Sequence, residues 1–220
     1  MKQRNFVLAI TGASGSAYAV RLAQILLRAG HHIHMIVSRA ARQVAQHELD
    51  ARIPADDASG DDWLKFTGTA LTTGAAAAWG FSDCSDDFSG NCSVHGISDF
   101  TAGVASGSFL TGGMVICPCS MGTLSAIASG SSKNLIQRSA DVHLKERRPL
   151  ILIPRETPLS LVALENMTRL SHAGATILPA MPGFYHRPES IADCIDFVVA
   201  RTCDHLNVEH SLVRRWSAAD

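Results

Sequence analysis

Phe6-Val7-Leu8-Ala9-Ile10, followed at once by Thr11-Gly12-Ala13-Ser14-Gly15, is the stretch that decides the fold. An apolar run too short for a helix, closed by a glycine-bearing polar turn and followed by an amphipathic stretch, opens a strand-turn-helix unit. The unit recurs. Apolar runs at 6–10, 33–37, 114–117, 150–153 and 176–178 alternate with segments that read as helices over 16–29, 39–50, 120–129, 134–147, 159–173 and 189–206. Such alternation predicts a doubly wound, mainly parallel α/β sheet, a three-layer sandwich of flavodoxin-like or Rossmann-like layout with right-handed crossovers.

The 220 residues fit one domain spanning 1–220, because a single core of this size can still serve two helical layers. The stretch at about 51–100 breaks the rhythm: it is rich in Asp, Gly, Ser and Thr with scattered Trp63, Trp79 and Phe81, and reads as an irregular insertion, a lid or a functional loop. The formal net charge of -1, with no basic run interleaved with aromatics, argues against nucleic acid. Residues 6–10 are shorter than the roughly 7 to 15 of a secretory core, and no apolar stretch approaches the roughly 18 of a membrane span, so a soluble, cytoplasmic protein is expected. Six cysteines stand at 84, 92, 117, 119, 194 and 203. Reduced thiols are expected, and Cys84, Cys92 and His95 match no zinc spacing, so no metal is expected. Cys117 and Cys119 read as small buried side chains, and His31, His32 and His34 as surface residues along a strand edge.

In an open parallel sheet ligands sit outside the carboxyl ends of the strands, so five turns should meet there: 11–15, 37–39, 117–120, 154–157 and 183–187. Their polar, glycine-bearing and cationic content asks for an anionic, ring-shaped ligand. Gly12, Ser14 and Gly15 place unpaired N–H groups at a helix start, which favours an electron-rich group; a tight turn alone would also use these glycines. The G-x-x-G spacing, with the next strand ending at Ser38 and not at an acid, disfavours NAD. Arg138, Asp141, Val142 and Lys145 share one helical stripe, either as two converging cations or as a solvated charged face. Arg155 and Glu156 follow a strand directly and put a cation and a titratable carboxylate at the sheet's mouth, as a site or as a structural ion pair. Glu48 shares a stripe with Ala41, Val44 and Ala45, so its carboxylate should lean inward. Tyr185, Arg187 and Arg201 suit a phosphate, although Arg201 could equally neutralise Asp193 and Asp196.

Six blocks in order resemble the UbiX-type flavin prenyltransferases: Thr11-Gly12-Ala13-Ser14-Gly15, Val115-Ile116-Cys117-Pro118-Cys119-Ser120, Ala140-Asp141-Val142, Leu144-Lys145-Glu146-Arg147-Arg148-Pro149-Leu150, Pro154-Arg155-Glu156-Thr157-Pro158 and Gly183-Phe184-Tyr185-His186. The match runs from Phe6 to about Trp216, apart from the irregular middle. The resemblance implies transfer of a dimethylallyl group from dimethylallyl phosphate to N5 and C6 of reduced FMN, without metal. The product, prenylated FMN, would serve a UbiD-type decarboxylase. It implies that Gly12, Ala13, Ser14, Ser38, Ser120, Met121, Gly122, Thr123 and Arg155 hold the flavin. Lys145, Arg155, Tyr185 and Arg201 would hold the prenyl phosphate, with Arg138 assisting, while Ser14, Glu48 and Glu156 would order protons. It also implies a homododecamer with sites shared between subunits. Where the family often carries tryptophan ahead of its Ala-Ser-Gly-Ser turn, this chain has Phe100, a smaller π face beside the prenyl pocket. The alternative is an FMN-dependent cysteine decarboxylase of the related fold, but its Pro-Ala-Ser-Ala-Asn-Thr turn is replaced by Cys117-Pro118-Cys119-Ser120.

Overall fold

The computed structural model describes residues 2–82 and 87–214. Six strands form one all-parallel sheet: β1 (Asn5–Ile10), β2 (His32–Val37), β3 (Asn91–His95), β4 (Gly113–Cys119), β5 (Leu150–Pro154) and β6 (Thr176–Ile177). Their order across the sheet is β3-β2-β1-β4-β5-β6. Seven α-helices accompany them: α1 (Ser16–Arg28), α2 (Arg39–Leu49), α3 (Gly60–Thr69), α4 (Met121–Ala128), α5 (Leu135–Lys145), α6 (Leu161–His172) and α7 (Ile191–Leu206). Without β3 the strand order is that of a five-stranded flavodoxin-like sheet; β3 extends it to six strands in the Rossmann order. The side on which successive strands are added reverses between β1 and β4, so the crevice above these two strands is the topological switch point.

The central strands are buried on both faces, and alternate side chains feed two separate cores. Phe6, Leu8, Ile10, Val115 and Cys117 pack with α1, α2, α3 and α7. Val7, Ala9, Ile116 and Cys119 face α4, α5 and α6. Cys117 and Cys119 are both buried free thiols, and burial pushes the Cys119 thiol up to about 12. Helix starts are set locally: Ser38, Ser120, Asn134 and Ser160 each accept an N–H bond in the first turn of α2, α4, α5 and α6. No helix among the described residues is long and apolar enough to cross a membrane.

The stretch expected to be irregular carries structure of its own. Ser59 and Asp62 form a capping box that starts α3, whose Trp63 is fully buried and donates Nε1–H to Ala55 O at 3.2 Å. After a 3-10 turn at Gly74–Trp79, β3 pairs with the outer side of β2. This changes the expectation for the histidines. With β3 covering it, β2 is no edge: His31 is fully buried, His34 is 9% exposed, and the His34 Nδ1 lies 3.0 Å from His95 Nε2. Cys84, one of the three conceivable metal ligands, and Trp216 lie outside the described residues.

Candidate functional site

Backbone bonds run along the carboxyl edge of the sheet and fix the turns above it. Ser38 N donates to Ile10 O at 3.0 Å, and Ala180 N to Pro154 O at 3.0 Å. Across the switch point, the Thr11 hydroxyl donates to Pro118 O at 2.8 Å and its oxygen accepts from Ser120 N at 2.8 Å. The β1–α1 turn and the β4–α4 turn are thereby joined, and the N-termini of α1, α2 and α4 open onto one rim. Gly12 is needed for this: a Cβ there would stand 2.5 Å from Ala40 Cβ at the start of α2. At Gly122 a Cβ would meet nothing within 4 Å, so the start of α4 faces open space.

The donors on this rim are partly committed. Gly15, left-handed at φ 117, caps α1 without a side chain, and the Glu48 carboxylate substitutes for one. Glu48 accepts from Gly15 N at 2.9 and 3.0 Å through its two oxygens and from Ser16 N at 2.8 Å. An anion at this rim therefore meets the turn residues Gly12, Ala13 and Ser14, and not the N–H groups of the N-cap Gly15 and of Ser16, which Glu48 occupies. Ser38 Oγ accepts from Ala41 N at 3.1 Å, which leaves its hydrogen for a ligand, whereas Ser120 Oγ–H is directed at Thr123 Oγ1 at 3.1 Å. Arg155 and Glu156 are exposed just past β5, where Glu156 Oε1 accepts from Thr157 N at 3.1 Å. The rim thus combines backbone donors, hydroxyls and one guanidinium around an open gap, a donor set that fits the phosphate and polar ring edge of a flavin mononucleotide.

Four expected residues do not reach this rim within one chain. α5 begins beside Ile97, where Leu135 N donates to Ile97 O at 2.8 Å, and runs back toward the amino ends of the strands. Arg138, one turn in, donates Nε–H to Ala105 O at 3.0 Å and pairs with Asp141 at 2.8 Å. Lys145, roughly 10 Å further along the axis, is bonded to Glu146 beside Gly107. Tyr185 and Arg201 instead line a cleft on the outer face of α7, where Arg201 pairs with Asp204 at 3.0 Å and not with Asp193 or Asp196. Asp196 is engaged by Arg21, buried between α1 and α7, at 2.6 and 2.9 Å. Phe100 is 47% exposed in the turn after β3. The expected convergence of all cations on one rim is therefore not met by a single chain: Lys145 lies toward the C-terminal end of a crossover helix, which returns to the opposite edge of the sheet, while Arg138 is held by Ala105 and Asp141.

Thr11, which stitches the rim, and His210, which lines the α7 cleft, were not among the expected site residues. Thr11 carries a signal in being the last residue before the glycine turn, but the bond that matters spans 107 positions.

A model of the flavoprotein family matches residues 1–203. The flavin prenyltransferase UbiX of Pseudomonas aeruginosa is 46% identical over 209 residues, covering 95% of this chain and 92% of that protein. The crystal structure of AnUbiX (PadA1) in complex with FMN and dimethylallyl pyrophosphate is similar with a TM-score of 0.81 and 35% identity, covering 99% of each chain. A dodecameric FMN-dependent UbiX-like decarboxylase from Escherichia coli O157:H7 gives a TM-score of 0.78 at 34% identity, covering 97% of this chain and all of that one. The peptidyl-cysteine decarboxylase EpiD, at 11% identity and a TM-score of 0.53, shares the fold alone.

Proposed function

Since the chain belongs to the flavoprotein family and to its UbiX flavin prenyltransferases, we propose that it transfers a dimethylallyl group from dimethylallyl phosphate to N5 and C6 of reduced FMN. The observation that carries this reading is the rim at the β1/β4 switch point, where three helix N-termini and the turn 11–15 surround open space above Gly122. Bound reduced flavin supplies an electron-rich ring to be alkylated. The chain's own residues do the rest: Gly12, Ala13, Ser14, Ser38, Met121, Gly122, Thr123 and Arg155 hold and orient the acceptor, and Ser120 closes the wall behind it.

Breaking an allylic C–O bond develops negative charge on the phosphate and positive charge on the five-carbon fragment. Lys145, Arg138, Tyr185 and Arg201 stabilise the first as preorganised donors. The face of Phe100 stabilises the second by cation–π attraction. Because these residues lie away from the rim in one chain, a neighbouring copy supplies them, in keeping with the dodecameric relative. Ser14 and Glu156 hold protons near the acceptor, and Glu48 fixes the turn that carries Ser14. The product serves a UbiD-type decarboxylase in the cytoplasm. The cysteine decarboxylase reading has no observation in its favour beyond the shared fold.

Anaerobic incubation of the purified protein with reduced FMN and dimethylallyl phosphate, followed by mass spectrometry of the extracted flavin, tests the proposal. A flavin heavier by one five-carbon unit is expected; unmodified FMN would refute it.

A further inference from the structure

Within the run Lys145-Glu146-Arg147-Arg148, only Arg148 is half-buried; the other three are exposed. α5 stops there in the pairing of a Schellman motif: Arg147 N donates to Leu144 O at 3.2 Å and Arg148 N to His143 O at 2.9 Å. The left-handed position of the motif, usually glycine, is Arg147 at φ 52. This reversal carries Arg148 back across the helix end, where its Nη1 donates to Phe109 O at 2.7 Å and its Nη2 to Gly107 O.

The same turn is held to α5 at alternate residues. Ala105 O accepts from Arg138 Nε at 3.0 Å, and Thr111 Oγ1 lies 2.8 Å from Nε2 of buried His143. A carbonyl only accepts, so His143 Nδ1 donates to Ser139 O at 2.7 Å, and the Thr111 hydroxyl donates to Nε2. Residues 105–111 thus form a strap laid on α5, with Arg148 gripping its middle. Lys145 is exposed, paired with Glu146, and the strap is the wall beside it: a Cβ on Gly107 would stand 2.8 Å from Lys145 Nζ. The ammonium and its carboxylate partner fill the space that the absent side chain leaves.

We propose that Arg148 is a positioning residue for Lys145: its guanidinium fork sets how closely Gly107 approaches α5, and so where the Lys145 ammonium lies. The inference rests on the prenyl-transfer reading for what Lys145 does, and Arg148 acts through Lys145. A planar fork bonded to two carbonyls two residues apart fixes both the height and the tilt of the strap, which a point-charge ammonium cannot do.

The chain has four lysines, so Lys145 can be read without turnover. Reductive methylation of the full chain with isotopically labelled formaldehyde keeps each lysine charged and gives each an NMR signal, that of Lys145 being assigned by its loss in Lys145→Arg. In Arg148→Gln and in Gly107→Ala this signal should shift while those of Lys2, Lys65 and Lys133 stay. The methyl of Gly107→Ala first meets the flexible ends of Lys145 and Glu146, so it should move them and leave the melt unchanged. In both variants kcat/KM for dimethylallyl phosphate should fall about tenfold with FMN affinity unchanged. Arg148→Lys keeps the charge but reaches one carbonyl only, and should fall between Arg148→Gln and wild type; it carries the comparison if Arg148→Gln does not fold. In a Lys145→Ala background Arg148→Gln should cost less than about twofold more, because the two residues act as one unit. An undiminished loss in that background, an unmoved Lys145 signal, or Arg148→Lys equal to wild type in both readouts overturns the proposal. If the signal moves as expected but wild type yields no heavier flavin, the positioning role stands and the prenyl-transfer reading falls.

Discussion

Glu48 is where a structural and a catalytic role can be separated by magnitude. Replacing it with alanine strips three N–H contacts from the start of α1, a helix whose N-cap is glycine and offers no side chain. Ser16 is 3% exposed, so its N–H would lose its partner out of reach of water, at about 1–3 kcal/mol. The half-buried Gly15 N–H can rehydrate, adding about 0.5–1.5 kcal/mol. The sum of about 1.5–4.5 kcal/mol should lower the thermal midpoint by about 3–18 °C for a chain of this size. Glu48→Gln keeps one acceptor oxygen for Ser16 and should cost about half as much. Circular dichroism melts at one fixed protein concentration give the stability change, since assembly would otherwise move the midpoint. Anaerobic prenyl transfer measured in parallel gives the turnover. A Glu48→Ala midpoint within about 1 °C of wild type would refute the claim that this carboxylate caps α1. If Glu48→Gln melts near wild type yet turns over as poorly as Glu48→Ala, the carboxylate also moves a proton.

Two glycines on the same rim should respond in opposite ways. Gly12→Ala drives a methyl against Ala40 and should cost about 1–3 kcal/mol, whereas Gly122→Ala in open helix should gain about 0.5–1 kcal/mol while weakening FMN binding; melts and flavin titration read both. Acid should destabilise the fold in a defined window. Burial, with His32 and His95 beside it, lowers His34 to about 4, and burial lowers His143 to about 4. Above pH 6.5 both are neutral folded and unfolded, but from there down to about 4 only the unfolded chain takes up their protons, so stability falls by on the order of 3 kcal/mol per histidine. Urea midpoints across that range should show the fall, and His34→Gln should lessen it. Lys145→Ala should leave the melt within about 0.5 kcal/mol, because its pair with Glu146 is exposed, yet lower kcat/KM for the prenyl donor. Glu156→Gln should retain FMN and slow turnover, and kinetics equal to wild type for both variants would remove them from the mechanism.

The parts of the fold written as local pattern could be read without coordinates. Residues 6–10 and 150–153 are buried on both faces and so appear as unbroken apolar runs, and the serine caps mark helix starts to within a residue or two. β3 escaped notice because Asn91-Cys92-Ser93-Val94-His95 is an edge strand with one buried residue, and α3 because its glycines and aspartates hide a helix announced by Ser59, Asp62 and the buried Trp63. The rim residues were legible because each ends a strand. The separation of Lys145 and Arg201 from that rim was not, since helical stripes say which residues share a face but nothing about which end of the sheet the face adjoins.

Thr11 uses its hydroxyl hydrogen on Pro118 and its lone pair on the Ser120 N–H, so the two walls of the proposed flavin gap share a hinge pin. Neither wall can swing out to admit a bulkier tricycle without shearing both bonds, one of them buried and the other partly so. Selectivity for ring width is thus expected to follow from a side chain aimed at its own backbone.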